Sequence, residues 1–212
     1  TAPFTAGILN SGKLRSLGWT LEAVCAVLGN AQRDSSLNPA YIEPTNRYRL
    51  PDRGTDFDSL YNYTAQFFYA DYYQDTTNPD KYGMGLFQWH TANTPNVCYQ
   101  AKTVAYGIRN HSLWYDGWYQ CERLDYERQH DPQYHYFTPT TYDGITYDFM
   151  TFYNSTNDIS DLTYVFMIGY LHRDDNIQCR VYNAEWWYQY FTDPDAPDEV
   201  DEPAIEPYII PN

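Results

Sequence analysis

A carboxylic acid stands at the end of an apolar helical segment, and a segment rich in glycine and aromatic residues follows later in the chain. The acid is Asp34, and the second segment spans residues 83–89, where Gln88 and Trp89 offer an amide and a flat ring face. A carboxylic acid can transfer a proton in catalysis, while an amide and a ring face suit contact with a sugar. Each of the two segments is therefore a candidate for a functional role.

Helices must position these segments, because helical periodicity dominates the chain. Weak helical character over residues 7–17 precedes a stronger helix that Thr20 can cap and that ends near Asp34, before Pro39. Residues 81–90 predict a short hairpin or extended turn. Further helices are predicted within residues 57–73, 101–109, 112–127, from Ser160 onward and over 179–191, with loops over 40–80 and 131–158. The pattern predicts a mainly helical α+β fold with a small β-hairpin and long loop insertions.

The chain length suits one main domain. We assign residues 1–192 of the 212 to this domain and residues 193–212, which alternate Pro with Asp and Glu, to an acidic tail or linker. Because the first residue is Thr1 and not Met, we expect the chain to be a piece of a longer polypeptide.

The composition argues against two classes of protein. The chain carries 13 Lys and Arg against 28 Asp and Glu, and its formal net charge of −15 would repel nucleic-acid phosphates. No apolar run approaches the ~18 residues that a membrane-spanning helix needs. We therefore expect no nucleic-acid partner and no membrane span.

Metal and cofactor sites have no sequence signature here. The four cysteines lack the spacing of zinc ligands, and a Cys98–Cys121 disulfide stays open. The nearest histidine group, His130 and Asp131 with His135, lies in a predicted loop. The chain also has no serine-hydrolase elbow and no glycine-rich phosphate loop. We therefore expect no metal and no cofactor.

Two motifs carry a resemblance to a known family. The first, within residues 18–39, is an apolar helix followed by Gly29-Asn30, then Asp34-Ser35, then Asn38-Pro39. The second is Gly-Met-Gly-Leu-Phe-Gln-Trp at residues 83–89. Together they resemble the phage tail lysozyme family, in which a Glu-Ser pair ends the helix and a Gly-x-Gly-Leu-x-Gln-Trp hairpin walls the sugar groove. The resemblance covers about residues 7–191.

The resemblance implies a lysozyme-like fold and hydrolysis of peptidoglycan glycan strands. The catalytic acid it implies is Asp34, which stands where the family has Glu, and the implied substrate contacts are Tyr82, Gly85, Gln88 and Trp89. It also implies a place in the virion tail, action at the bacterial cell wall, and association with other phage tail proteins or with further domains of the same polypeptide.

Several alternatives stay open because an Asp carboxyl sits one methylene nearer the backbone than a Glu carboxyl. The chain is either a slow hydrolase or a non-catalytic tail-tip module that binds wall glycan or plugs the tail. Asp34 could instead cap its helix or pair with Arg33 or Arg47, and Trp89 could be a core residue.

An inverting enzyme would need a second carboxylate about 6.5–9.5 Å from the acid. The candidates in the insertion are Glu43, Asp52, Asp56, Asp58 and Asp80.

Overall fold

A computed structural model describes residues 2–39, 85–89, 116–193 and 195, with side chains from residue 5 onward. Tyr82, the five candidate carboxylates of the insertion, and the helices predicted within residues 57–73 and 101–109 lie outside the described residues. So does nearly all of the predicted tail, and the boundary at residue 192 stays a prediction.

The described part of the chain is mainly helical. Its elements are α1 (Ala2–Ser16), α2 (Leu21–Ser35), α3 (Gly117–Tyr134), β1 (Thr140–Tyr142), β2 (Ile145–Tyr147), α4 (Phe149–Tyr153), α5 (Ile159–Gly169) and α6 (Ile177–Thr192). The two strands pair antiparallel, with Thr141 opposite Thr146. This arrangement confirms the predicted α+β fold class. None of the described helices has both the length and the apolarity to cross a bilayer.

Helix α2 is the central element, and its prediction is confirmed. The Thr20 side chain accepts a hydrogen bond from the backbone N–H of Ala23, which satisfies one of the donors left free at a helix start. The helix ends where Ser36 and Leu37 adopt positive φ angles of 52° and 56°. Nearly the whole length of α2 is buried, and it packs most extensively against α6 and then α5.

The contact between α2 and α6 depends on a missing side chain. A Cβ atom on Gly29 would lie 2.5 Å from the carbonyl oxygen of Arg180 and 2.7 Å from the backbone nitrogen of Ala184. Only glycine permits backbones to approach this closely. The glycine therefore brings α6 directly onto the end of α2 that carries Asp34.

The prediction of a loop over residues 131–158 was wrong. Helix α3 continues through Pro132 to Tyr134, and the strands β1 and β2 form a hairpin. Asp143 and Gly144 join the strands with positive φ angles of 45° and 76°. An Asp-Gly pair favours this two-residue turn, so the hairpin had a local signal that the aromatic and polar composition obscured. Helix α3 begins at Gly117, after Asp116, whose side chain caps it.

The start of α5 also differs from the prediction. The helix begins at Ile159 and not at Ser160, and Asp158 is its N-cap, since its carboxylate accepts hydrogen bonds from the backbone N–H and the hydroxyl of Ser160. The side-chain and backbone hydrogen bonds from Ser160 lower the pKa of Asp158 below its ordinary value. The stronger acceptor two residues upstream therefore sets the first turn of the helix.

Candidate functional site

Asp34 lies in the last turn of α2 and points toward α6. Its Oδ1 accepts a hydrogen bond from Arg180 Nη2 at 2.8 Å, and its Oδ2 accepts one from Arg180 Nη1 at 3.0 Å. The Asp34 side chain is only 4% exposed. The ion pair considered as an alternative role for Asp34 is thus made with Arg180 and not with Arg33, while Arg47 lies outside the described residues. Both carboxylate oxygens are engaged by one planar guanidinium group.

Arg180 is fully buried and is held on every edge. In addition to its contacts with Asp34, Arg180 donates from Nη1 to Asn30 Oδ1 at 3.1 Å and from Nε to the carbonyl oxygen of Asp175 at 3.1 Å. Its Nη2 also lies 3.4 Å from Asp175 Oδ1. A buried charge needs this degree of pairing, because an unpaired one would be costly to desolvate. Arg180 therefore joins α2, the start of α6 and the segment before it.

The contacts of Asn30 account for the asparagine of the Gly29-Asn30 motif. Its Nδ2 donates to the carbonyl oxygens of Ala26 at 2.9 Å and Thr163 at 3.1 Å, while its Oδ1 accepts from Arg180. The amide therefore ties α2 to α5 and at the same time orients the guanidinium group that meets Asp34.

Ser35 connects this helix end to the glycine-rich segment. Its Oγ is 2.8 Å from the carbonyl oxygen of Ala31 and 3.1 Å from that of Leu86. The backbone N–H of Leu86 donates to Gln120 Oε1 at 2.7 Å, and Gln120 Nε2 donates to the carbonyl oxygen of Pro39 at 2.8 Å. The two segments singled out from the sequence are therefore neighbours in space.

Residues 85–89 form a buried turn. Gly85 has a φ of 75°, and a Cβ there would lie 2.7 Å from Gln120 Oε1. Gln88 Nε2 donates to the carbonyl oxygen of Gly85 at 2.9 Å, and the Trp89 ring packs edge-on against Phe87 at 5.1 Å. Gln88 and Trp89 are each 4% exposed. Their contact with a glycan stays a prediction.

A buried chain of hydrogen bonds fixes Trp89 to α3. Trp89 Nε1 donates to the hydroxyl oxygen of Tyr170 at 2.8 Å, and that hydroxyl donates to Glu127 Oε2 at 2.5 Å. Arg123 Nη2 donates to Glu127 Oε1 at 2.6 Å. All four side chains are buried. The position of the glycine-rich turn therefore depends on a buried ion pair in α3.

We predict that Tyr170→Phe lowers the free energy of unfolding by about 1–2 kcal/mol, because Trp89 Nε1 and Glu127 Oε2 both lose their hydroxyl partner inside the protein. Urea denaturation followed by circular dichroism measures the change. Tyr182→Phe, on the exposed face of α6, is the matched control and should leave stability within experimental error. Equal stability of the two variants would contradict the assignment.

Within the described ranges, no group of three or more His, Cys, Asp or Glu side chains is placed to hold a metal ion. His130 Nδ1 is instead 2.7 Å from the carbonyl oxygen of Tyr126, and the two rings stack. Cys25 and Cys121 are free buried thiols whose pKa values are raised by desolvation.

Sequence reasoning missed Arg180, Gln120 and Glu127. Each is a polar residue within a helix and has no local motif around it. Little in the sequence indicated that they are buried, because charged residues are seldom fully buried and Glu127 is flanked mostly by polar residues. The partners could not be read from the sequence, because Asp34 and Arg180 are 146 residues apart.

The fold and these contacts define a mainly helical α+β domain in which a helix-terminal carboxylate lies beside a glycine-rich aromatic turn. A model of the phage tail lysozyme family matches residues 11–191. The chain belongs to this family, and its α+β architecture is that of a lysozyme-like domain. A search of curated proteins found no match.

Proposed function

We propose that this domain, within residues 1–192, cuts the glycan strands of peptidoglycan as part of a phage tail during passage through the bacterial wall. The observation that carries the proposal is the Ser35 contact with Leu86, which holds the end of α2 against the glycine-rich turn. Asp34 precedes Ser35 and occupies the position of the family's catalytic acid. Membership of the phage tail lysozyme family supports the same chemistry.

Hydrolysis asks for a proton at the bridging oxygen of the glycan. As the bond between the anomeric carbon and this oxygen breaks, the electron pair stays on the oxygen, which takes the proton of the acid. The oxygen of a water molecule bonds to the anomeric carbon and loses a proton to a base. The acid regains its proton from solvent. We assign the acid to Asp34 and the substrate contacts to Tyr82, Gly85, Gln88 and Trp89.

The contacts of Asp34 predict a slow enzyme. Both of its oxygens accept hydrogen bonds from Arg180, so neither oxygen is free to hydrogen-bond the bridging oxygen of a glycan. An Asp carboxyl also reaches less far from the helix than a Glu carboxyl. A displacement of ~1 Å can lower a rate by about a hundredfold. Each turnover therefore requires the contact between Asp34 and Arg180 to open.

The same contact favours a second candidate function, a tail-tip module that binds wall glycan without cutting it. In that case the pair between Asp34 and Arg180 is a permanent structural ion pair. In either case we propose that the domain acts in the virion tail, beside other tail proteins or further domains of its polypeptide.

Release of reducing ends from purified peptidoglycan tests the two functions. We expect slow release by the parent protein, loss of release with Asp34→Asn, and unchanged release with Asp174→Asn, an exposed control on the segment before α6. Cosedimentation with peptidoglycan should be alike for all three proteins. Binding without release at high protein concentration would favour the non-catalytic module, and release that survives Asp34→Asn would remove Asp34 from the chemistry.

A further inference from the structure

Two carboxylates meet the same nitrogen atom of Arg180. Nη2 lies 2.8 Å from Asp34 Oδ1 and 3.4 Å from Asp175 Oδ1. The Asp34 side chain is 4% exposed, whereas the Asp175 side chain is 45% exposed. The Nη2 atom of Arg180 therefore lies between the buried carboxylate of Asp34 and the partly exposed carboxylate of Asp175.

Arg180 does not depend on Asp34 for its position. Its Nε edge is held by the backbone carbonyl of Asp175, and its Nη1 is held by Asn30 Oδ1. If Asp34 turns away, these contacts remain, and the Asp175 carboxylate is in place to take up Nη2. Because an uncompensated buried charge is strongly unfavourable, a second acceptor makes the opening of the first contact much easier.

The surroundings of Asp175 keep it suited to this role. Partial desolvation is the largest single influence and raises its pKa, but the Asn176 amide together with the positive charges of Arg180, Arg173 and Arg33 lowers the pKa overall. Asp175 therefore stays ionised and accepts hydrogen bonds over a wide pH range.

We infer that Arg180 and Asp175 are positioning residues that control whether Asp34 can contact a glycan. Arg180 binds both oxygens of the Asp34 carboxylate and so keeps them from the substrate. When a glycan binds at the site, the Asp175 carboxylate accepts the hydrogen bond from Arg180 Nη2 that Asp34 gives up. The inference rests on the proposed hydrolytic function. It assigns to these two residues an effect on turnover that is separate from glycan binding.

The experiment compares the parent protein, Asp175→Asn and Asp174→Asn on soluble, uncrosslinked glycan chains. Asp175→Asn removes the charge that receives Nη2 but keeps the backbone carbonyl that holds Nε. We expect kcat to fall about tenfold while the half-saturating glycan concentration stays unchanged, because the contact between Arg180 Nη2 and Asp175, long at 3.4 Å while Asp34 is bound, becomes a full charge-assisted hydrogen bond only in the opened state. Asp174→Asn, next to it in sequence and exposed, should change neither quantity.

A second variant separates this coupling from a general structural effect. Arg180→Lys keeps the charge but cannot bind two oxygens side by side, so it should raise kcat and make kcat insensitive to Asp175→Asn. If Arg180→Lys does not fold, as judged by thermal unfolding, the comparison of Asp175→Asn with Asp174→Asn decides the matter alone.

Two outcomes would overturn the inference by itself. One is a parent protein that cuts glycan and an Asp175→Asn variant that cuts at the same kcat. The other is that Asp175→Asn lowers kcat by the same factor in the Arg180→Lys variant as in the parent protein. Absence of reducing ends from every protein, with glycan binding retained, would overturn the proposed function and the inference with it.

Discussion

Asp34→Glu is expected to raise the rate of glycan hydrolysis by about ten- to a hundredfold. The added methylene carries the carboxyl beyond the point where the Arg180 guanidinium binds both oxygens of Asp34. It also gives the side chain the length of the Glu that the family resemblance implies at this position. A gain of this size corresponds to the correction of a displacement of ~1 Å in the reacting group.

The gain is measured as reducing ends released per unit time from purified peptidoglycan, at matched protein concentrations. Cosedimentation should show unchanged glycan binding, and thermal unfolding should show that the variant still folds, because Asn30 and Asp175 still hold Arg180. Asp174→Glu is the control for an added methylene on an exposed acid. A variant that folds and binds like the parent but cuts no faster would show that reach and capture by Arg180 do not limit the rate.

Gly29→Ala is expected to lower the free energy of unfolding by about 2–3 kcal/mol. Its Cβ would lie 2.5 Å from the carbonyl oxygen of Arg180 and 2.7 Å from the backbone nitrogen of Ala184. These neighbours belong to the backbone of α6 and cannot rotate away, so the two helices must separate. Overpacking of this kind outweighs the preference of a helix for Ala over Gly.

Gly12→Ala is the matched control for this prediction. Gly12 is an exposed residue of α1, and a Cβ there would meet no atom within 4 Å. We expect this substitution to stabilise the protein by about 0.5–1 kcal/mol. Chemical denaturation of both variants measures the two changes. Equal effects, in either direction, would contradict the close crossing of α2 and α6.

The elements that the sequence predicts well are those with local causes. Helix α2 follows from apolar spacing, a Thr20 cap and the residues before Pro39, and its bounds agree with the prediction. The adjacency of its end and the glycine-rich turn came from the family resemblance, and the Ser35 contact with Leu86 supplies its physical basis. The hairpin at Asp143 and Gly144 also had a local cause, which its aromatic surroundings hid.

The contacts that govern the candidate site have no local cause. No motif marks Arg180 in the sequence. It can bind Asp34 because Gly29 lets α6 approach α2 closely. Glu127 likewise gains its importance from Tyr170 and Trp89, which reach it from other parts of the chain. Periodicity identifies which face of a helix is buried, but it does not identify the polar partners that meet on that face.

The several supports of Arg180 bear on how this domain can evolve. Since Asn30 and Asp175 bind the guanidinium independently of position 34, a substitution there leaves the buried charge compensated. We therefore expect substitutions at position 34 to change the proposed cutting activity while the scaffold is kept. Under the proposed function, the residue assigned to the chemistry is therefore not the one on which the stability of the buried charge depends.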